Sequence, residues 1–586
     1  MDDEVRERAE QAAEVNALFN ALKHGSDAQV GAIMGPLMGD NPELREYGDQ
    51  VAGVIAPVVE RVNGMDDAAK RERLAELAPE RVEELDSEDE DDDRPLPDLP
   101  NAEEYDEVRM RLAPNPNGPW HLGSARMPAV IGTYKQMYDG WMLCRFDDTD
   151  PETKRPDLDA YDEIVDAIDF LGFEPDEVIK ASDRLDIYYD HARELIDLGG
   201  AYTCSCSGEA FSELKNSGEA CPHRDKDAET VREEFEAMVD GDYDSGEMVL
   251  RVKTDIEHKN PALRDFVAFR MIDTPHPREE AAEYRCWPML DFQSGIDDHL
   301  TGITHIIRGI DLQDSAKRQG FVYDYFGWEY PEVLHWGHVQ IDAYDVPMST
   351  STILERVEAG ELTGWDDPRA PTIASLRRRG IHGEAIVDAM TELGTSTSNV
   401  DLAMSSVYAN NRDIVDEETD RAFLVRDSGP DGDGGEVGPA VELPVEGGPE
   451  AGEPPVHPNH EDRGRRSIPV GDAVRIEEGD LPPVGERVWL KGFGPVERTE
   501  DGLSFTDDDL DVVREGDVDV VHWVPGKGAV PLRLRTMDGD VTGYAEPGVA
   551  EYAVGDLVQF ERVGFARIDE TTDESDAEAV AYFTHP

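Results

Sequence analysis

The sequence predicts a multidomain protein: a helical extension, an α/β core, then an all-β C-terminal region. Three observations predict it. Apolar residues recur at three- and four-residue spacing up to about residue 85, as in Val15, Leu18, Phe19 and Leu22. From Tyr105, short apolar strands alternate with amphipathic helices. From about Ile468, short β runs with frequent turns take over, as in one or two small barrels.

The totals bound the function. The chain has 586 residues, room for several domains with their own cores. It carries 131 acidic against 55 basic residues, a net charge of −76. A protein that coats nucleic acid with a basic surface has the opposite balance. A disordered acidic chain is excluded by 39% hydrophobic residues and by the spread of Trp, Tyr and Phe. The charge reads as adaptation to a high-salt interior. At molar salt the Debye length is about 3 Å, so an RNA partner remains compatible with it. No secretory leader pattern opens the chain, and no apolar run approaches membrane-spanning length. A cytoplasmic, reduced protein without membrane or DNA partners is expected, and a monomer.

The elements follow in order. Residues 1–85 form a helical accessory domain, with turns at 39–42 and 63–66. Residues 86–101 are a linker in which the acidic run Glu83–Asp93 gives way to a Pro-rich stretch. Residues 102–200 begin the α/β domain. Its organising stretch is Arg111-Leu-Ala-Pro-Asn-Pro-Asn-Gly-Pro-Trp-His-Leu-Gly-Ser-Ala-Arg126, a strand, a turn and a helix entrance. Unpaired N–H groups at a helix N-terminus bind phosphate, and Gly123 lets a base or ribose approach the backbone. The strand Trp141–Phe146 runs into Asp147-Asp-Thr-Asp150, acids at the strand end where α/β sheets hold ligands.

Residues 201–285 are an insertion. It contains Cys204-Ser-Cys206, fourteen intervening residues, then Cys221-Pro-His223. Two short-spaced thiolate and imidazole pairs closing one loop suit tetrahedral Zn²⁺, a structural ion because all four positions are filled. Residues 286–355 complete the α/β domain. There Arg308 ends an apolar strand and is placed to clamp a carboxylate or phosphate. The turn Val346-Pro-Met-Ser-Thr-Ser351 offers hydroxyls and N–H groups to a triphosphate. Residues 356–418 read as a helical connector, where Arg377, Arg378 and Arg379 suggest an RNA backbone contact. Residues 419–586 are the β-barrel region, interrupted by a disordered insert over about 428–458.

Together these pieces resemble the class I aminoacyl-tRNA synthetases, and closely the archaeal type of glutamyl enzyme. His121-Leu-Gly-Ser124 is similar to the family's HIGH element. Arg145-Phe-Asp-Asp-Thr-Asp150 resembles the segment after the second strand. Asp297-Asp-His-Leu-Thr-Gly-Ile-Thr-His-Ile-Ile-Arg308 resembles the segment carrying the substrate arginine. Gly364-Trp-Asp-Asp-Pro-Arg-Ala-Pro-Thr372 and Leu376-Arg-Arg-Arg379 match the stretch after the second signature. The resemblance implies a Rossmann-like catalytic domain with an inserted acceptor-binding domain, a helical connector and anticodon-binding barrels.

It also implies roles. His121 and Gly123 would bind ATP, with Pro114, Asn115, Met348, Ser349, Thr350 and Ser351 around the nucleotide, and Ser349 and Ser351 in the KMSKS loop. Arg111, Ala113, Asn115, Asp147 and Arg308 would hold L-glutamate. Mg²⁺ would accompany ATP, and tRNA(Glu) would be the acceptor. Two departures stand out. Pro347 and Thr350 replace both lysines of the KMSKS element, and Leu290 stands where relatives often carry Tyr. The alternatives are a glutaminyl-tRNA synthetase, and a tRNA-binding paralogue without catalysis.

Overall fold

The described N-terminal helices are α1 (Asp3–His24), α2 (Gly48–Asn63) and α3 (Asp67–Leu77). They enclose a core of their own in which Ala13, Ala17, Leu18, Ile55, Val58 and Leu74 are buried. The structure, a computed structural model, describes residues 3–24, 28, 33, 48–65, 67–79, 81, 95–341, 343–344, 346–429, 438–506, 518–571 and 578–586. The turn expected at 39–42, Asp66 and the acidic run Glu83–Asp93 lie outside them. The chain divides into two units, Met1–Pro97 and Asp98–Pro586.

In the second unit, β1 (Arg109–Leu112), β2 (Trp141–Phe146) and β3 (Glu177–Lys180) form a parallel sheet. Helix α4 (Arg126–Tyr138) crosses from β1 to β2 and α5 (Ala160–Phe170) from β2 to β3. Such parallel crossovers suit strands that are apolar on both faces, and β2 is buried from Met142 to Phe146. After α6 (Leu185–Asp197) the chain leaves for a four-stranded antiparallel insertion. Its strands are β4 (Ala201–Cys204), β5 (Val249–Val252), β6 (Phe266–Met271) and β7 (Cys286–Pro288), in that spatial order. Helices α7 (Gly208–Ser217) and α8 (Ala228–Val239) join β4 to β5.

The chain returns through α9 (Leu290–Leu300) to β8 (His305–Gly309), α10 (Gln313–Phe326) and β9 (Glu332–Trp336). β8 enters beside β1: the Thr304 N–H donates to the Arg109 carbonyl at 2.9 Å. Strands β8 and β9 are parallel. The carboxyl ends of β1, β2 and β8 therefore meet on one edge, where sheets of this kind bind ligands.

Beyond the loop at 346–350 come α11 (Thr350–Glu358), α12 (Ile373–Arg378), α13 (Gly383–Glu392) and α14 (Met404–Val415). Among the described residues the C-terminal region holds two seven-stranded sheets and a short two-stranded one. The disordered insert expected at 428–458 is corrected here. Residues 430–437 lie outside the described ones, but Ala440–Glu446 is a strand. It pairs antiparallel with Ala473–Glu477, from Ala440 opposite Glu477 to Pro444 opposite Ala473. Val441, Leu443 and Val445 share one face of it and the acids the other, so alternation outweighs the Gly- and Pro-rich composition around it.

The arginine triplet also departs from expectation. Arg379 is buried and donates to the carbonyls of Phe583 (3.0 Å) and Thr584 (2.8 Å) and to the Tyr408 hydroxyl (3.0 Å). Arg378 pairs with Asp569 and Asp366. Both fasten the helical connector to the last strands of the chain, and their donors are committed there. Arg377 alone is exposed, over the Phe170 ring at 5.3 Å.

Candidate active site

A cleft of about 780 Å³ opens at the carboxyl edge of β1, β2 and β8. Arg111, Ala113, Pro114, Asn115, His121, Gly123, Asp147, Arg308, Met348 and Thr350 all line it, so residues more than two hundred positions apart share one wall. Ser349 and Ser351 do not line it. Their hydroxyl oxygens face each other at 3.1 Å, and Ser349 sits at the N-terminus of α11.

The nucleotide-like end is built by close backbone approach. A Cβ at Gly123 would stand 3.2 Å from the His121 ring and 3.6 Å from Met348 Sδ. Gly118 has φ +148°, and a Cβ there would meet Thr350 Cγ2 at 2.5 Å. The two glycines thus let the loop after β1 close onto the Met348–Thr350 turn. Burial lowers the pKa of His121, which keeps its imidazole neutral near pH 7, with Ser124 Oγ 3.4 Å from its Nδ1. The Asn115 Oδ1 is buried without a hydrogen-bond partner, while its Nδ2 donates to the Asp147 carbonyl.

The other end is a buried charge cluster. Arg111, Arg145 and Arg308 each sit one residue before the end of their strand. Helix α9 meets them with Gln293, Ser294, Asp297 and Asp298, two i,i+4 pairs on one helix face. Asp298 is fully buried. Its Oδ1 accepts from Arg111 Nε (3.1 Å) and Arg145 Nη1 (2.8 Å), and Arg308 Nη2 lies 4.0 Å from its Oδ2. Burial would raise the Asp298 pKa, but the three guanidiniums hold it below its ordinary value. Arg145 also donates to Asp147 (2.7 Å) and to Ser294 Oγ (2.9 Å). Asp297 accepts from Arg184 and from the Tyr188 hydroxyl.

Two groups in this cluster have capacity left. Asp147 Oδ1 takes Arg145 and Gln293, and its Oδ2 has no partner among the described residues. Arg308 donates to Gln319 Oε1 at 3.1 Å, but its Nε is buried with no hydrogen bond. Burial and then neighbouring Arg111 lower the Arg308 pKa, the sign of a guanidinium held short of negative charge. Four guanidiniums (Arg111, Arg145, Arg184 and Arg308) face three carboxylates (Asp147, Asp297 and Asp298). An anionic ligand fits that surplus. Sequence reasoning placed Arg111, Asp147 and Arg308 here but missed Arg145, Gln293 and Asp298. The signal available for Asp298 was an Asp-Asp pair inside an otherwise amphipathic helix.

In the insertion, Cys204, Cys206, Cys221 and His223 come together, with all donor atoms within 4.8 Å of one another. The closest pairs are 3.4–3.6 Å apart. Tetrahedral zinc with Zn–S near 2.3 Å sets sulfur atoms about 3.7 Å apart, so the donor set fits that ion. Burial alone would raise the Cys204 pKa, yet hydrogen bonds from Arg251 and the Cys206 N–H hold it below its ordinary value.

Residues 107–417 match the family model for tRNA synthetases class I (E and Q), catalytic domain. The chain belongs to this family. Residues 437–511 and 520–569 match its two anticodon-binding domain models. The synthetase is 72% identical to a glutamate–tRNA ligase of Haloarcula marismortui and 70% identical to one of Halobacterium salinarum, over all of each chain. It is 44% identical to a glutamate–tRNA ligase of Methanosarcina mazei, over 97% of both. The α/β core is thus a class I catalytic domain, and the C-terminal sheets belong to the anticodon-binding part.

Asp298→Asn leaves three guanidiniums around a neutral amide. Removing one partner of a buried ion pair costs about 3–5 kcal/mol, so the variant is expected to unfold at clearly lower temperature than wild type in molar KCl. An unchanged melting curve would remove Asp298 from the centre of the site.

Proposed function

We propose that this synthetase is a glutamate–tRNA ligase that activates L-glutamate with ATP and passes it to the 3′ end of tRNA(Glu). The observation that carries the reading is the positive surplus at the strand ends, in a chain that matches glutamate–tRNA ligases along its whole length. Glutamate brings one net negative charge and closes the surplus. Glutamine is neutral and leaves an unmatched guanidinium in a buried site, which is costly.

The chemistry follows from positioning. A carboxylate oxygen of glutamate attacks the α-phosphorus of ATP and pyrophosphate leaves, giving the acyl-adenylate. The terminal ribose hydroxyl of the tRNA then attacks the acyl carbon and AMP leaves. Both steps depend on orientation and on meeting developing charge more than on a dedicated base. Arg111 and Arg308 hold the carboxylates, and the open Oδ2 of Asp147 receives the ammonium group. Neutral His121 donates to the reacting phosphate, and Gly123 makes room beside it. With no lysine in the Met348–Thr350 turn, Thr350 and backbone N–H groups serve the phosphates. Mg²⁺ would accompany ATP and offset charge on its phosphates.

Cys204, Cys206, Cys221 and His223, whose donor atoms lie together, would hold Zn²⁺ as a structural ion of the insertion. Among the described residues no helix is long and apolar enough to cross a membrane. We read the enzyme as a cytoplasmic monomer.

The test is charging of tRNA with labelled glutamate in molar KCl, together with metal analysis of the same preparation. Glutamylation with about one zinc per chain is expected. Failure to acylate tRNA with glutamate would refute the reaction, and protein free of zinc would refute the metal assignment.

A further inference from the structure

The turn over residues 346–351 carries no lysine or arginine. Pyrophosphate gains negative charge as it leaves ATP, and a positive charge elsewhere in the cleft would ease its departure. Five arginines and lysines line the cleft: Arg111, Arg126, Lys154, Arg270 and Arg308. Arg111 and Arg308 gather around Asp298. Arg270 pairs with Asp150 at 3.0 Å, and Lys154 follows that aspartate by four residues in the loop after β2. Arg126 stands apart from these. It opens α4, three residues after Gly123.

Arg126 is 2% exposed. Its Nη1 donates to the carbonyl of Gly337, just past β9, at 2.8 Å. Its Nη2 donates to the carbonyl of Gly394, just past α13, at 2.7 Å. The guanidinium lies 5.4 Å from the Trp336 ring, and Trp336 and Gly337 share the cleft wall with it. Its Nε is buried with no hydrogen bond. Both carbonyl partners are neutral, and Arg126 makes no ion pair among the described residues. Burial lowers its pKa, and no carboxylate acts to raise it. A buried cation without a counterion is costly, and an anion in the cleft offsets that cost.

Salt makes the buried position effective. In molar salt a charge exposed on a loop is screened within about 3 Å. A guanidinium fixed inside the wall by two carbonyls is screened far less, and needs no reorganisation when the reaction occurs.

We propose that Arg126 supplies, from this fixed buried position, the positive charge that the lysine-free turn lacks at the departure of pyrophosphate. The proposal rests on the glutamate-activation reading above. In that step the bond from a glutamate carboxylate oxygen to the α-phosphorus forms. The bond from the α-phosphorus to the oxygen shared with the β-phosphate breaks, and that oxygen keeps the electron pair. Arg126 neither gives nor takes a proton; its charge favours the leaving group.

The experiment is glutamate-dependent ATP–pyrophosphate exchange in molar KCl with tRNA present, for wild type, Arg126→Lys and Arg126→Gln. Melting curves establish that each is folded, and Arg126→Met is the uncharged variant if the glutamine does not fold. The uncharged variant is expected to lose about thirtyfold in kcat, the scale of one charge acting across several ångströms of a partly buried site. Its KM for glutamate should stay that of wild type. Arg126→Lys keeps the charge and should retain most of the activity. Equal losses in the lysine and uncharged variants would reduce Arg126 to a tether for Gly337 and Gly394 and overturn the proposal, as would an uncharged variant with wild-type kcat. Wild type without glutamate-dependent exchange would instead remove the reading on which the proposal rests.

Discussion

One carboxylate holds the catalytic domain's ligand edge in place. Asp298 is fully buried and meets Arg111 from β1, Arg145 from β2 and Arg308 from β8. These strands come from three distant parts of the chain, separated by a crossover helix and by the whole insertion. Packing of apolar side chains brings them side by side, but packing does not set where their terminal guanidiniums point. A shared carboxylate does, because a buried charge without a partner is costly. The same interaction leaves the arginines in excess, so the site is held together by a charge balance that remains incomplete until an anion enters.

The extreme surface charge and this interior cluster obey different rules. At molar salt, exposed charges a few ångströms apart are screened, and the many surface acids cost little in self-repulsion. The centre of the cluster is shielded from solvent: Arg145, Asp297 and Asp298 have no exposed surface. Electrostatics at the site can therefore be strong and specific while the outside of the protein is adapted for solubility in brine.

Much of this was legible in the sequence, for identifiable reasons. Strand ends followed by Pro, Asn, Gly or Asp signal the ligand edge, so Arg111, His121, Gly123, Asp147 and Arg308 could be placed before any coordinates. The spacing of Cys204, Cys206, Cys221 and His223 also carried through to one cluster. Asp298 and Gln293 were illegible because polar residues on a helix usually mean a wet face, and only the tertiary structure turns that face onto three arginines. Arg378 and Arg379 misled in the opposite direction. A basic triplet in an acidic chain looks like an RNA contact, but Arg379 spends its donors on buried carbonyls. Ser349 and Ser351 stand off the cleft wall, since a motif gives order and not direction, and their hydroxyls face each other. Ala440–Glu446 was hidden by its Gly- and Pro-rich neighbours, although its own residues alternate as a strand should.

The most direct measurement is the ratio of kcat/KM for glutamate to that for glutamine, in wild type and in Arg308→Gln, with tRNA charging as the readout. Arg308 supplies the guanidinium left with an unbonded buried Nε, so its loss closes the charge balance without a substrate anion. The ratio is expected to fall by about a hundredfold, roughly 3 kcal/mol of discrimination. A folded Arg308→Gln enzyme that keeps the full preference for glutamate would contradict the role given to the arginine surplus.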